Sequence, residues 1–408
     1  MARGARRQLA EQRAAVRGLT LRRIAFFTST RAEYGLLRPT MAEVASRPEL
    51  SLQLIVSGTH LSKAHGETWR EIASDGLPID ARVDMELGQD DLAGISASAA
   101  LALSGTAQAL ARLRPDVLVL LGDRYELLAA AHAAVLARIP IAHVHGGEAT
   151  EGAIDESIRH AVTKLAHWHF PAAEAYAERI RQMGEAPERV WNVGALAMDN
   201  IAALDPVPLA ALESFIGLRL RSPSYLVTYH PVTLEPDGGL AAMRSMLSAL
   251  DARAGFVVIT GANADPGAGA IRAALQAFAD ARPGRVALVE SLGARRYLSL
   301  MHHVDAVVGN SSSGLLEAPA VGVPTVDIGC RQQGRLRAPS VIHCGEDEAD
   351  IRRALEQAAT PAHRALAARR DTPYGRPGAA RRIVDILSAV ETGWLSKPFV
   401  DRCGTAVA

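Results

Sequence analysis

The chain alternates short, almost wholly apolar runs with longer amphipathic stretches, and few folds satisfy that alternation. Its first half holds the runs Arg23–Thr28, Leu52–Ser57, Asp116–Leu121, Pro140–Val144 and Arg189–Val193. A strand with apolar side chains at successive positions must be covered on both faces, as parallel strands are. Between the runs lie the helical stretches Tyr34–Ala45, Ile95–Arg112, Glu126–Ala137 and Asp155–Ala166. This reads as an open parallel α/β sheet. Pro206, Pro208 and Pro223 then interrupt the pattern across 202–224, as an interdomain connection would. Strands resume at Tyr225–Thr228, Phe256–Ile259, Arg285–Val289, Asp305–Val308 and Thr325–Ile328, and Ala379–Val390 predicts a terminal helix. With 408 residues and roughly 150 per domain, two such units fit. The expected division is a basic tail over 1–21, a Rossmann-like domain over 22–200, a second over 201–375, and a terminal helix and tail over 376–408. The expected fold class is α/β, the two domains facing across a cleft, with ligands held beyond the carboxyl ends of strands.

Composition narrows function. The 44 basic and 44 acidic residues cancel, so no overall field draws nucleic acid or an anionic membrane. Cys330, Cys344 and Cys403 are scattered, which argues against a disulfide framework or zinc site and fits a reducing cytoplasm. No apolar run approaches the roughly 18 residues of a membrane span. Residues 1–23 carry seven Arg and one Glu without the apolar core of a signal peptide, which predicts a solvated, poorly ordered tail.

Polar motifs follow the strands. Thr28-Ser29-Thr30-Arg31 offers a tight turn whose free N–H groups can receive an anion, with Arg31 able to grip phosphate. Capping of the next helix by Ser29 or Thr30, with Arg31 solvated, is the simpler alternative. No dinucleotide fingerprint or P-loop follows. Gly122-Asp123-Arg124 ends another strand and delivers Asp123 either into a cleft or to a helix N-cap. The next strand ends in His143-Val144-His145-Gly146-Gly147-Glu148. Alternation puts both histidines on one side, and paired glycines let a ligand approach the backbone. Asp155 and Arg159 share a helix face, as site residues or as an ordinary ion pair. In the second half, His230 stands at a strand rim before Pro231. Gly309-Asn310-Ser311-Ser312-Ser313-Gly314 opens a helix as an anion cradle, and Glu317, one turn in, suits a ribose diol. A Ser-capped helix start is the alternative, but Gly314 occupies the position that a Ser-x-x-Glu capping box needs.

Together, TSTRAEYG, LLGDRYE, HVHGGEATEGAIDESIRHAVTKLAHWHF, YHPVT, GNSSSGLLEAP and DIGCRQQGR resemble the hydrolysing UDP-N-acetylglucosamine 2-epimerases, in the family's order and over residues 22–390. The resemblance implies the GT-B fold, with UDP held mainly by the C-terminal domain. It implies a catalytic set of Asp123, His145, Asp155 and His230. It implies that Arg31, His60, Arg124, Asn263, Ser311, Ser312, Ser313, Gly314, Glu317 and Arg331 bind the nucleotide sugar. The implied chemistry is anti elimination of UDP across C1–C2, then hydration of the glycal to a free sugar inverted at C2, with no metal or other cofactor. A positioned base must take the weakly acidic C2 proton as the diphosphate departs, and nearby cations and N–H groups stabilise the leaving charge. The expected partners are the UDP-sugar and copies of the chain itself, as a homodimer or homotetramer, with no nucleic acid and no membrane.

One departure bears on substrate. Members acting on UDP-N-acetylglucosamine commonly carry a catalytic Glu where this chain has His145, and imidazole can also exchange protons near neutral pH. The HVHGGE form resembles relatives that process UDP-2,4-diacetamido-2,4,6-trideoxyglucose on the route to legionaminic acid. The base and the preferred sugar therefore stay open. A non-hydrolysing epimerase, a GT-B glycosyltransferase and a silent UDP-sugar sensor are the competing functions.

Overall fold

The first sheet is built around β1 (Arg22–Thr28), whose side chains alternate between two cores. Ile24 and Phe26 enter one core, Ala25 and Phe27 the other, and all four are fully buried. Each buried Phe contributes roughly 1.5–3 kcal/mol, so β1 is held from both faces. The computed structural model describes residues 21–88, 91–151, 153–232, 235–261, 268–391 and 396–401. After β1 come α1 (Arg31–Ser46), β2 (Leu50–Ser57), α2 (Trp69–Ser74), β3 (Ala81–Val83) and α3 (Leu92–Leu113). Then follow β4 (Val117–Leu121), α4 (Tyr125–Leu136), β5 (Ile141–Val144), α5 (Asp155–Leu165), β6 (Trp168–Phe170), α6 (Glu174–Gln182) and α7 (Ala197–Ala202).

All pairings in this sheet are parallel, in the order β3-β2-β1-β4-β5-β6. The chain reverses direction across the sheet between β1 and β4. At such a switch point the loops diverge and leave a crevice beyond the strand ends. The turns after β1 and β4 are the Thr28–Arg31 and Gly122–Arg124 motifs.

The second sheet repeats the plan with α8 (Leu209–Ile216), β7 (Ser224–Thr228), α9 (Leu240–Ala252), β8 (Phe256–Thr260), α10 (Ala268–Asp280), β9 (Val286–Val289) and α11 (Gly293–Met301). It continues with β10 (Ala306–Gly309), α12 (Ser313–Val321), β11 (Thr325–Ile328), β12 (Val341–Cys344), α13 (Glu348–Ala359) and α14 (Pro361–Ala367). Its order is β12-β11-β10-β7-β8-β9, again parallel. The switch point lies between β7 and β10, where the His230 and Ser311–Gly314 motifs begin.

The chain divides into two compact units. Residues up to Glu148, Ser157–Asp199 and those from Gly375 onward form the first; Ala149–Glu156 and Asn200–Tyr374 form the second. The terminal helix α15 (Ala379–Ala389) belongs to the first unit, where Ile383, Val384 and Leu387 complete the core under α1. Among the described residues no helix is long and apolar enough to cross a membrane. The basic tail over 1–20, Cys403 and Asn263 lie outside the described residues.

One expected strand is corrected. Arg189–Val193 is not a strand: Pro187–Arg189 form a 3-10 turn, and Val190 makes a single bridge to His169. The sixth strand of the first sheet is the shorter Trp168–Phe170. Proline pre-sets the turn dihedral, and this overrides the β-branched content that follows.

Gly309 closes β10 with φ +136°, and a Cβ there would sit 2.1 Å from the Thr228 carbonyl of the neighbouring strand. Backbone cannot yield as a side chain can. Gly309→Ala is therefore expected to destabilise the second unit by roughly 2–4 kcal/mol, read as a lower urea midpoint.

Candidate active site

At the end of β1 the turn caps the helix that follows it. Thr30 caps α1, accepting from the Glu33 N–H at 3.3 Å, and the Glu33 carboxylate accepts from the Ser29 N–H at 2.8 Å and the Thr30 N–H at 3.3 Å. This reciprocal capping box is the simpler of the two sequence alternatives; the anion that the turn receives is Glu33. Burial, with the Glu126 carboxylate nearby, pushes the Glu33 carboxyl up to about 7. Arg31 lies 2.9 Å from the Glu71 carboxylate. His60 is fully buried, with Nε2 3.1 Å from Thr28 Oγ1 and Nδ1 2.7 Å from Thr68 Oγ1. Burial lowers it to about 4, so it stays neutral as a strut. Arg124 Nε donates to Glu126 at 2.8 Å.

The end of β4 carries an ion pair whose cation is buried. Gly122 adopts φ +88°, and Asp123 then meets Arg159 of α5 in an ion pair. The Arg159 side chain has no solvent exposure, and its Nη1 donates to the Glu148 carbonyl at 3.0 Å. Sharing a helix face with Asp155 in sequence, Arg159 directs its guanidinium to Asp123 of the sheet.

The two histidines of the next strand do not share a side. His143 lies within β5, its Nε2 donating to the Gly122 carbonyl at 2.8 Å and its Nδ1 3.1 Å from Thr163 Oγ1. Burial lowers it to about 3. His145 has left the strand, with φ +62°, which ends strict alternation. Its Nε2 accepts the Leu196 N–H at 3.3 Å, and its Nδ1 lies 3.0 Å from Glu148 Oε1. Both ring nitrogens therefore face protein partners.

In the second unit the turn before α12 is ordered by hydrogen-bonding side chains. Asn310, fully buried, accepts from the His230 N–H at 2.7 Å and donates to the His230 carbonyl at 2.8 Å, clamping the turn after β7. Tyr297 of α11 reaches Ser313 Oγ at 2.6 Å and Thr228 Oγ1 at 3.3 Å, while Ser311 Oγ lies 3.3 Å from Ser313 Oγ. Gly314 packs against Thr325, where a Cβ would meet the side chain at 2.8 Å. Glu317, in the second turn of α12, is raised to about 7 by burial. Arg331 is itself buried and braces two carbonyls, Pro231 at 3.3 Å and Asn310 at 3.2 Å. Asp155 begins α5, at the end of the segment Ala149–Glu156, which Arg335 holds by donating to the Ala149 carbonyl at 3.2 Å.

Sequence reading missed Tyr297, Glu33 and Arg335 as organisers. Asn310 and Arg335 stand inside quoted motifs and could have been found there, whereas nothing local marks Tyr297. Among the described residues one trio of potential metal ligands, Glu235, Cys330 and Glu346, has its ligating atoms within 4.8 Å of one another. Burial and Glu235 raise the Cys330 thiol to about 11, and it donates to Glu235 at 3.3 Å.

Comparison with known proteins gives these features their context. Residues 42–388 match the family model described as UDP-N-acetylglucosamine 2-epimerase. The chain is 39% identical over 325 residues, 79% of its length and 84% of the relative, to the GDP/UDP-N,N'-diacetylbacillosamine 2-epimerase (hydrolyzing) of Campylobacter jejuni. It is 33% identical over 322 residues, 79% of its length and 85% of the relative, to the UDP-N,N'-diacetylbacillosamine 2-epimerase (hydrolyzing) of Legionella pneumophila. The crystal structure of UDP-GlcNAc 2-epimerase from Neisseria meningitidis bound to UDP-GlcNAc shares the fold, with a TM-score of 0.77 at 20% identity over 90% of this chain and 99% of that one. Two parallel six-stranded sheets of this order are the GT-B architecture. The family match and the identities above 30% over most of the sequence make the chain an enzyme of the UDP-N-acetylglucosamine 2-epimerase family.

Proposed function

We propose that this enzyme is a hydrolysing 2-epimerase of a UDP-linked N-acetyl amino sugar. Its preferred substrate is UDP-2,4-diacetamido-2,4,6-trideoxyglucose, and its product enters nonulosonic acid synthesis. The observation that carries the chemistry is the Asp123 carboxylate, paired with the fully buried Arg159 at a sheet switch point. The pairing fixes the carboxylate in place, and a positioned carboxylate can take a proton from carbon. The substrate assignment draws on the hydrolysing names of the Campylobacter and Legionella relatives.

In this reading the Ser311–Gly314 turn and the N-terminus of α12 take the diphosphate, and Glu317 takes the ribose. Asp123 and Asp155 share the proton work at the sugar. The C2–H pair moves into the C1–C2 bond as C1–O breaks; the proton goes to carboxylate and UDP leaves with the C1 oxygen. Water then adds its oxygen to C1 and a proton to the other face of C2. His230 attends the diphosphate, and His145 holds the turn before Glu148. Arg31, Arg124 and Arg331 line the nucleotide-sugar site in the same reading, and the working assembly is a homodimer or homotetramer.

Turnover in heavy water is expected to put deuterium at C2 of the released sugar, in the manno configuration. Asp123→Asn is expected to lower kcat by at least about 100-fold while UDP affinity stays within about twofold. Retained C2 protium with unchanged configuration would mean plain hydrolysis, and UDP released only with an added acceptor would mean a glycosyltransferase.

Glu317 supplies a pH test. Its folded carboxyl titrates at about 7 against an ordinary 4.5. Only the ionised form accepts from both ribose hydroxyls, so UDP affinity should rise with pH up to about 7 and then level off. Glu317→Gln should bind UDP more weakly at pH 8 and lose that component, leaving only the slope from the titration of UDP itself. Identical calorimetric pH profiles for the two proteins would remove Glu317 from the ribose.

Substrate choice is decided by side-by-side kinetics. The diacetamido sugar lacks the 6-hydroxyl, and a site with no partner for that hydroxyl leaves it unpaired at about 1–3 kcal/mol. A higher kcat/KM is expected for the diacetamido substrate. A tenfold preference for UDP-N-acetylglucosamine, about 1.4 kcal/mol, would reverse the assignment.

A further inference from the structure

Basic residues in this chain are almost all arginine; lysine occurs only at positions 63, 164 and 397. Two of these three meet at one buried carboxylate, Glu185. Glu185 has a side chain only 3% exposed, and it lies 2.5 Å from Lys164 Nζ and 2.9 Å from Lys397 Nζ. His169 Nε2 of β6 completes the cluster at 3.0 Å. Against burial, which raises it, His169 and Lys164 hold the Glu185 carboxyl at about 2. An ammonium radiates three donors from one atom, so it can serve acceptors converging from different directions, which a planar guanidinium does less well.

Lys397 uses that geometry. Besides Glu185 it donates to the carbonyls of Thr163, at 3.3 Å, and Lys164. These carbonyls belong to the last turn of α5, where a helix lacks internal donors and its dipole favours a cation. The segment 396–401 is tied to the same place by its neighbours. Arg189 donates to the Ser396 carbonyl at 3.1 Å, Val400 N–H donates to the Gly184 carbonyl at 3.0 Å, and Lys164 Nζ stands 4.9 Å above the Phe399 ring. A Cβ at Gly184 would strike that ring at 2.4 Å.

Helix α5 also carries Arg159, one turn before Thr163, and Arg159 fixes Asp123. A second route is shorter. The Thr163 hydroxyl meets His143, and His143 donates to the carbonyl of Gly122, next to Asp123. We infer that the C-terminal segment 396–401 is a strap on the first unit, and that Lys397, by capping the C-terminal carbonyls of α5, is a positioning residue for the Asp123 carboxylate. The strap itself is independent of the function proposed above; its effect on turnover rests on Asp123 acting at the sugar.

The test compares Lys397→Met, Lys397→Arg and wild type by hydrogen exchange, UDP calorimetry and steady-state kinetics, with Asp123→Asn alongside. In Lys397→Met, exchange across the last turns of α5 should speed by about tenfold or more. Its kcat should fall by about three- to tenfold, since small misplacements of a reacting group are costly, while UDP affinity and KM hold. Lys397→Arg, which keeps charge and donors, should fall between the two. Unchanged exchange in α5 overturns the strap, whatever the activity does. Faster exchange with full kcat overturns the link to Asp123 if Asp123→Asn is inactive; if Asp123→Asn is also fully active, the proposed function has failed instead. Equal losses of kcat and UDP affinity, with no recovery in Lys397→Arg, would reduce Lys397 to general stability and overturn the positioning role.

Discussion

A guanidinium with no solvent exposure, Arg159, sets the terms for the first unit. An unpaired charge in that interior costs several kcal/mol, so a carboxylate has to come to it. Asp123 is that carboxylate, and the Glu148 carbonyl takes another of its donors. Asp123 follows a left-handed glycine, Gly122, at the end of β4, and the chain reaches Glu148 through two further positive-φ residues, His145 and Gly147. The Asp123 carboxylate and the Glu148 carbonyl thus both answer one buried cation.

In the second unit the turns after β7 and β10 are ordered by hydroxyls and amides together with the buried Arg331. Tyr297, Thr228 and Asn310 align hydroxyls and backbone at the start of α12, where the helix end carries about half a positive charge. Hydroxyls and amides adapt to whatever protonation the ligand brings, and they need no permanent counter-ion when none is bound. Glu317 fits this pattern. Burial near these neutral groups leaves its carboxyl at about 7, close to the balance between its two forms.

Strands such as β1, β4, β7 and β10 were legible because parallel burial makes them apolar at nearly every position. Ala81–Val83, Trp168–Phe170 and Val341–Cys344 were not, because three or four mixed residues carry no period. Of the site, the strand-end motifs were visible, since turns demand particular residues. The partners that side chains choose were not. Glu33 looks like an ordinary helix residue until its carboxylate fills the turn, and Arg31 turns to Glu71. Lys397 contacts a carbonyl 234 positions away, and no local pattern encodes such a contact.

The histidines show how burial decides between chemistry and support. A neutral imidazole is a rigid strut with a donor at one end and an acceptor at the other. His60 joins Thr28 to Thr68, and His143 joins Gly122 to Thr163; burial keeps both uncharged at neutral pH. His145 is arranged the same way, between Leu196 and Glu148. A ring held at both ends keeps its plane, and the turn it spans keeps its shape.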